Sequence, residues 1–181
     1  KYNYKERYFI HANVRGDASS VFAPGRRWGA FGGLSLAWLI SNEEFMSGVN
    51  LLRDFKLKAS WGVLGNDGIG SYMYTNQYGI GNVNNAIAII QSYQGNPTLT
   101  WESSSMFNVG TEFSLGKYLT AELEYWYKHT NDMLMARYVA PSLGYGSYWV
   151  NDAAMMNHGF EVMFNVHAVN TNAVKLDIRL N

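Results

Sequence analysis

Apolar and polar residues alternate along most of this chain. Between Tyr8 and Arg15 the apolar residues Tyr8, Ile10, Ala12 and Val14 share one parity and the polar residues share the other. The same period recurs in segments 55–63, 107–115, 119–128, 160–167 and 174–180, and less cleanly in 28–40. Successive side chains of a strand point to opposite faces. The pattern therefore predicts about seven strands of an all-β antiparallel sheet, with one apolar face and one face carrying Lys, Glu, Asp, Asn and His.

The predicted strands are long, at about 9–13 residues, whereas most strands have about 5–6 residues and a tilted transmembrane strand needs about 9–11. Aromatic residues stand near their ends, as in the girdles of membrane barrels: Tyr8, Trp28, Trp38, Trp61, Tyr118, Tyr125 and Tyr127. The length of the predicted strands and the position of the aromatic residues favour a transmembrane β-barrel. A soluble carbohydrate-binding β-sandwich and a passive porin remain as alternatives.

The predicted connections alternate between short and long. Gly116-Lys117 and Asn170-Thr171-Asn172 predict tight turns, while Gly65–Pro97 and Asn131–Met156 are long and rich in Gly, Asn and Tyr. Outer-membrane barrels have short turns on one side of the membrane and long loops on the other.

Two local features interrupt the alternation. Gly29, Gly32 and Gly33 predict a bulge or a close approach of backbones within segment 28–40. The segment Ser41-Asn42-Glu43-Glu44, on the short-turn side, predicts a helical turn with Ser41 as its N-cap.

Composition removes several classes of function. The 181 residues include 14 basic and 14 acidic side chains and no cysteine. Zero net charge without a basic stripe gives no basis for nucleic-acid binding. The absence of cysteine excludes disulfides, a thiol nucleophile and thiolate metal ligands. No run approaches the ~20 apolar residues of a transmembrane helix, and the mean hydropathy is −0.19.

Six groups of segments stand out in chain order. They are RGDASSVF at 15–22 with RWGAF at 27–31, SNEEF at 41–45, LKASWGVLGN at 57–66 with IGSY at 69–72, NPTLTWE at 96–102, YWYKHTNDML at 125–134, and NHGFE at 157–161. Together they resemble the SusC/RagA family of TonB-linked outer-membrane proteins along almost the whole chain. Ala18, Val21 and Gly32-Gly33 depart from the family pattern, at loop and bulge positions.

The resemblance implies that residues 1–181 are part of a TonB-dependent receptor barrel of 22 strands, whose plug domain and remaining strands lie outside this sequence. Seven strands, an odd number, also suggest a chain continuing beyond Lys1 and Asn181. The implied function is active import of glycans or peptides across the outer membrane of Bacteroidetes-type bacteria. The implied partners are the TonB–ExbB–ExbD complex, a SusD/RagB-like surface lipoprotein and outer-membrane lipid.

No catalytic constellation is present, so we expect no enzyme. The inward carboxylates could form a hydrolase pair, but we expect them to be solvated or to pair with lysine and arginine on neighbouring strands: Glu112, Glu122, Glu124, Glu161 and Asp177 with Lys56, Lys58, Lys175 and Arg179. The four histidines lack the spacing of a zinc motif. We therefore expect no metal and no cofactor.

Aromatic residues in the two long connections are the candidate substrate contacts, because they offer a large apolar area with a polar handle. They are Tyr72, Tyr74, Tyr78 and Tyr93 in the first connection and Tyr145, Tyr148 and Trp149 in the second. The alternative is that these side chains pack the loops or belong to the membrane girdle.

Overall fold

A computed structural model describes residues 1–170 and 175–181, and almost all of the regular structure in them is β-strand. The strands are β1 (Tyr2–Tyr4), β2 (Tyr8–Ala18), β3 (Trp28–Leu39), β4 (Leu52–Asn66), β5 (Gln77–Val83), β6 (Ala86–Tyr93), β7 (Glu102–Leu115), β8 (Leu119–Tyr138), β9 (Ser147–Asn170) and β10 (Lys175–Leu180). Single 3₁₀ turns span Ile40–Asn42, Glu44–Met46 and Pro141–Leu143. No helix in the described part of the chain has the length and apolarity to span a membrane.

Within the described residues, eight strands form one antiparallel sheet in the order β1-β2-β3-β4-β7-β8-β9-β10, and β5 pairs only with β6. The seven predicted strands are confirmed as β2, β3, β4 and β7 to β10. Strand β1 and the β5–β6 hairpin were not predicted. Thr171 and Asn172 of a predicted turn, and Val174 at the start of a predicted strand, lie outside the described residues.

The apolar face of this sheet is more exposed than its polar face, which is the reverse of the arrangement in a soluble protein. On the apolar face, Val14 is 90% exposed and Phe160 is 80% exposed. On the polar face, the side chains of Lys58 and Glu124 are only 29% and 26% exposed. No second sheet covers the apolar face within the described residues, since the only other sheet is the two-stranded hairpin. The exposed apolar face therefore does not favour the β-sandwich alternative.

The apolar face carries the aromatic side chains of the predicted girdle. Trp61, Phe107 and Tyr127 lie directly opposite one another on β4, β7 and β8. Near the short turns, the rings of Tyr8 and Trp38 stack with their centroids 6.0 Å apart. Such rings suit a membrane interface because they combine an apolar body with a polar tip.

The predicted extent of the second long connection is wrong. Strand β8 continues to Tyr138 and β9 begins at Ser147, so only residues 139–146 connect them. Register shifts between Thr130 and Leu134 interrupt the ladder, and Asp132 has a φ of 53°. This bulge disrupts the period of two that the prediction relied on, although pairing resumes beyond it.

The glycines of β3 mark a close approach and no bulge. The register of β3 with β2 is unbroken from Trp28 to Trp38. A Cβ on Gly32 would lie 2.5 Å from the backbone oxygen of Asn13. The close-approach half of the prediction is therefore confirmed, and the bulge is not found in this pairing.

The segment after β3 also differs from the prediction. It forms two 3₁₀ turns, and Ser41 lies inside the first of them, whose N-cap is Leu39 without a side-chain bond.

Glu43 links several side chains at this end of the sheet, because its carboxylate accepts hydrogen bonds from Tyr8 Oη (2.8 Å) and Trp38 Nε1 (3.0 Å). It also pairs with Arg7 at 3.0 Å. The pKa of Glu43 is lowered, mainly by the bond from Tyr8 and then by that from Trp38.

Candidate functional site at the long-loop end

The connections 19–27, 67–101 and 139–146 lie at the same end of the sheet, which we call the long-loop end. The second of them holds the β5–β6 hairpin, whose turn residues Asn84 and Asn85 have φ values of 53° and 64°. Two positive φ angles in a two-residue turn are the mark of a type I′ hairpin, and Asn tolerates them well. The described part of the chain has no charged side chain between Asp67 and Glu102.

Three of the predicted aromatic residues stand on or before this hairpin. Tyr72 and Tyr74 precede β5, with ring centroids 6.4 Å apart. Tyr72 is 65% exposed and Tyr78, within β5, is 60% exposed. The side chains of Tyr72 and Tyr78 are therefore open to a ligand.

Tyr93 has a different role, since its side chain links the β5–β6 hairpin to the large sheet. Its hydroxyl donates to the backbone oxygen of Met73 at 3.2 Å and accepts a bond from the backbone N–H of Trp149 at 3.1 Å. Burial raises the pKa of Tyr93, so the phenol stays protonated and keeps its donor. Asn96 adds a bond from its amide to the backbone oxygen of Trp149, at 2.9 Å.

The remaining predicted residues lie in the extension of β8 and β9 beyond the bulge. Tyr148 and Trp149 belong to β9, opposite Arg137 and Ala136, so their prediction as loop residues is wrong. Tyr145 lies in the connection, and its ring meets that of Tyr148 edge-on, with centroids 6.3 Å apart. The structure thus joins Tyr72 with Tyr74, Tyr93 with Trp149, and Tyr145 with Tyr148.

Sequence reasoning missed the small core that supports this end. Trp101 contacts Phe22 and Phe31, with ring centroids 5.4 Å and 5.3 Å away. Phe22 and Leu99 are completely buried. The indole of Trp101 donates to the backbone oxygen of Arg27 at 2.9 Å. A signal existed, because these residues stand in the segments that carry the family resemblance, but their spacing does not show that they meet.

Asn151 and Glu102 fasten the connection 94–101 to the bulge of β8. Asn151 donates to the backbone oxygens of Thr100 (2.9 Å) and Asp132 (2.7 Å), and accepts from the N–H of Thr100 at 2.9 Å. Glu102 accepts the N–H of Leu134 at 3.0 Å. The bulge is thereby held by side chains, and no pattern in the sequence indicates these bonds.

Ion pairs on the polar face agree in part with the expected pairing. Lys58 pairs with Glu122 and, at 3.3 Å, with Glu124. Lys56 lies 3.8 Å from Glu112. Asp177 contacts His167 at 2.5 Å and its side chain is 57% exposed, in keeping with the expectation that this carboxylate is solvated. Among residues 1–170 and 175–181, no group of three acidic or histidine side chains is placed to hold a metal.

Comparison with known proteins decides the family. The family model described as "TonB dependent receptor-like, beta-barrel" matches residues 1–180. The chain belongs to the TonB-dependent receptor β-barrel family. Membership in this family places the sheet in the bacterial outer membrane, with lipid against its exposed apolar face.

Curated relatives in this TonB-dependent receptor family are several times longer than the chain. TonB-dependent receptor P39 of Formosa agariphila is 34% identical over 163 residues, which cover 89% of this chain and 16% of the relative. TonB-dependent receptor SusC of Bacteroides thetaiotaomicron is 28% identical over 192 residues, covering 99% of this chain and 19% of SusC. The chain therefore spans less than one fifth of these two relatives.

Solved structures show the same barrel segment. The RagAB peptide importer in its "open-open" state superposes with a TM-score of 0.85 at 28% identity, over 98% of this chain and 20% of the other. Its "closed-closed" state gives a TM-score of 0.82 at 30% identity, over 92% and 19% of the two chains. The resemblance to SusC/RagA-type proteins and the barrel-segment fold are thereby confirmed.

Proposed function

We propose that this chain forms part of the barrel of an active outer-membrane nutrient importer of SusC/RagA type. The observation that carries the proposal is the inverted sheet, with Phe160 more exposed than Lys58. An exposed apolar face and a covered ionic face are what a barrel wall needs when lipid lies outside and water inside. The similarity to SusC and to a peptide importer supports import as the use of that interior.

The whole importer would be larger than this sheet. We propose a 22-stranded barrel closed by a plug domain, with energy from the TonB–ExbB–ExbD complex and a SusD/RagB-like lipoprotein at the surface. The long-loop end is the side where such a lipoprotein and the substrate would meet the barrel, because its hairpins extend beyond the girdle. The substrate would be a glycan or a peptide, transported without chemical change.

At the long-loop end, the aromatic residues fall into two classes of proposed role. Tyr72, Tyr74 and Tyr78 have exposed or partly exposed rings and would contact substrate directly. Tyr93 would act through the structure, since its hydroxyl is already engaged on both sides. Tyr145, Tyr148 and Trp149 would contribute through the β8–β9 extension. Because several loops share the contact, alanine at any one exposed ring should weaken uptake only modestly.

The test is uptake of fluorescently labelled oligosaccharides and peptides by host cells that carry the intact receptor gene, with and without TonB. We expect accumulation that requires both the receptor and TonB, with the substrate recovered unaltered. A passive porin would let uptake continue without TonB, and an enzyme would return cleaved substrate. Tyr72→Ala should lower uptake a few-fold, whereas Tyr118→Ala, at the short-turn end, should leave it unchanged.

A further inference from the structure

The part of β8 and β9 beyond the bulge is joined to the wall through an interrupted ladder. The register shifts twice between Thr130 and Leu134, and pairing then continues to Tyr138, opposite Ser147. A bulge with a positive φ, here at Asp132, is a point where a strand bends. Unless other contacts hold the bulge, the β8–β9 extension (residues 134–138 and 147–151) is free to change its direction relative to the wall.

A short segment of the first long connection bonds to this extension above the bulge. The segment comprises residues 93–102, and we call it the brace. The hydroxyl of Tyr93 accepts the backbone N–H of Trp149 at 3.1 Å, and the amide of Asn96 donates to the backbone oxygen of Trp149 at 2.9 Å. Side chains of the brace thus bond to both backbone groups of one residue in the extension.

The brace is also bonded at the bulge itself. Asn151 donates to the backbone oxygen of Thr100 and accepts its N–H, both at 2.9 Å. The same side chain donates to the backbone oxygen of Asp132, inside the bulge, at 2.7 Å. Glu102, at the end of the brace, accepts the N–H of Leu134 at 3.0 Å. The brace therefore contacts both strands of the extension.

The beginning of the brace closes the base of the β5–β6 hairpin. The hydroxyl of Tyr93 donates to the backbone oxygen of Met73 at 3.2 Å, and the backbone N–H of Asn96 donates to the same oxygen at 3.1 Å. The two ends of the hairpin approach so closely that a Cβ on Gly95 would lie 2.2 Å from the carbonyl carbon of Thr75. The hairpin cannot turn at its base without disturbing residues that also hold the extension.

We propose that the brace joins the β5–β6 hairpin and the β8–β9 extension into one arm, which keeps a fixed direction relative to the wall and opens as a unit. Tyr93 and Asn96 each bond to both parts, at Met73 below the hairpin and at Trp149 in the extension. A preformed arm presents exposed rings such as that of Tyr78 in one arrangement, so a partner that contacts them loses less conformational entropy on binding. This coupling depends on contacts within the chain and is independent of the import function proposed above.

The test is hydrogen–deuterium exchange of the intact receptor in detergent, followed by mass spectrometry. It compares peptides from the hairpin (77–93), the extension (134–138 and 147–151) and the wall (107–115). Tyr93→Phe removes one hydroxyl next to the hairpin, and Asn151→Ala removes one amide in the extension. Since local opening becomes easier when shared bonds are lost, each variant should speed exchange about tenfold in both the hairpin and the extension. Exchange in the wall should stay as in wild type.

Tyr78→Phe is the matched control, because it removes a hydroxyl from a ring of the same hairpin that is 60% exposed. It should change exchange in neither part. The coupling is refuted if Tyr93→Phe speeds exchange in the hairpin alone, or if the wild-type extension exchanges as fast as an unstructured peptide. Exchange that rises equally in the wall refutes it too, because the arm would then not open separately from the barrel. If Asn151→Ala fails to fold, Tyr93→Phe alone decides, since its ring stays in place.

Discussion

The wall of the sheet and the core at the long-loop end use the same residue types under opposite conditions. Phe160, on the wall, is 80% exposed, while Phe22, at the long-loop end, is fully buried against Trp101. The wall holds its apolar side chains toward lipid, which fills any gap that a smaller residue leaves. The core at the long-loop end is closed by protein, where an empty space remains empty. Apolarity alone thus says little about how a position tolerates change.

The largest expected effect comes from truncating the same residue type in both places. Phe22→Ala should lower the free energy of unfolding by about 3–5 kcal/mol, because it loses transfer free energy and opens a cavity. Phe160→Ala should cost about 1.5–3 kcal/mol, since only the transfer energy is lost and lipid replaces the ring. The measurement is urea unfolding of the intact receptor in lipid vesicles, followed by tryptophan emission. Equal losses of unfolding free energy for the two variants would contradict the distinction between the lipid-facing wall and the closed core.

A charge placed on each face of β4 is the next sharpest comparison. Ala59 and Ser60 are adjacent, with Ala59 facing lipid beside Val109 and Ser60 facing the interior beside Asn108. Ala59→Arg should destabilise the barrel by about 2–4 kcal/mol, the cost of a cation near the bilayer midplane. Ser60→Arg should cost much less, because water reaches that face. Heat-modifiable migration in gels would rank the two, and a stronger effect at Ser60 would invert the assigned faces.

Gly65 offers a smaller change within the same core. A Cβ there would overlap the ring of Phe31, whereas a Cβ on Gly16 meets nothing within 4 Å. Gly65→Ala should therefore cost about 1–3 kcal/mol through overpacking. Gly16→Ala serves as the control and should be nearly neutral. Unfolding midpoints that move equally for both variants would contradict the packing described around Phe31.

The smallest expected effect concerns pH at the short-turn end. The pKa of Glu43 is lowered, first by the hydrogen bond from Tyr8, so the folded state favours its charged form. The resulting stability is present above the ordinary glutamate pKa and disappears as pH falls through the lowered value. Glu43→Gln should thus melt earlier than wild type at pH 7, and the gap should close as the pH falls below the ordinary glutamate range. Glu44→Gln, at a 93% exposed side chain, is the control.

Most of the wall could be predicted from the sequence because alternation is a local property. The residues opposite one another on β7 and β8, such as Phe107 and Tyr127, already share a parity before any pairing is known. The long connections resisted prediction for the same reason. Beyond Asp132 the period is broken, and the pairing of Met135 with Val150 follows from the partner strand. A strand supported only by its neighbour leaves a weak pattern in its own sequence.

The candidate site also divides into features that could be predicted from the sequence and features that depend on the tertiary structure. Composition singled out the tyrosines of the connections, but it could not separate exposed Tyr78 from Tyr93, whose hydroxyl is engaged by Met73 and Trp149. Those two partners lie 20 and 56 residues away along the chain.

By itself, the sequence determined which side chains share a face, that the wall strands are longer than usual, and which family the chain resembles. Each of these follows from residue order, since adjacent side chains of a strand must point to opposite sides. Only the tertiary structure decided which face lies open and which aromatic rings are buried around Trp101. These depend on strand register and on contacts between residues far apart in the chain, which no local pattern encodes.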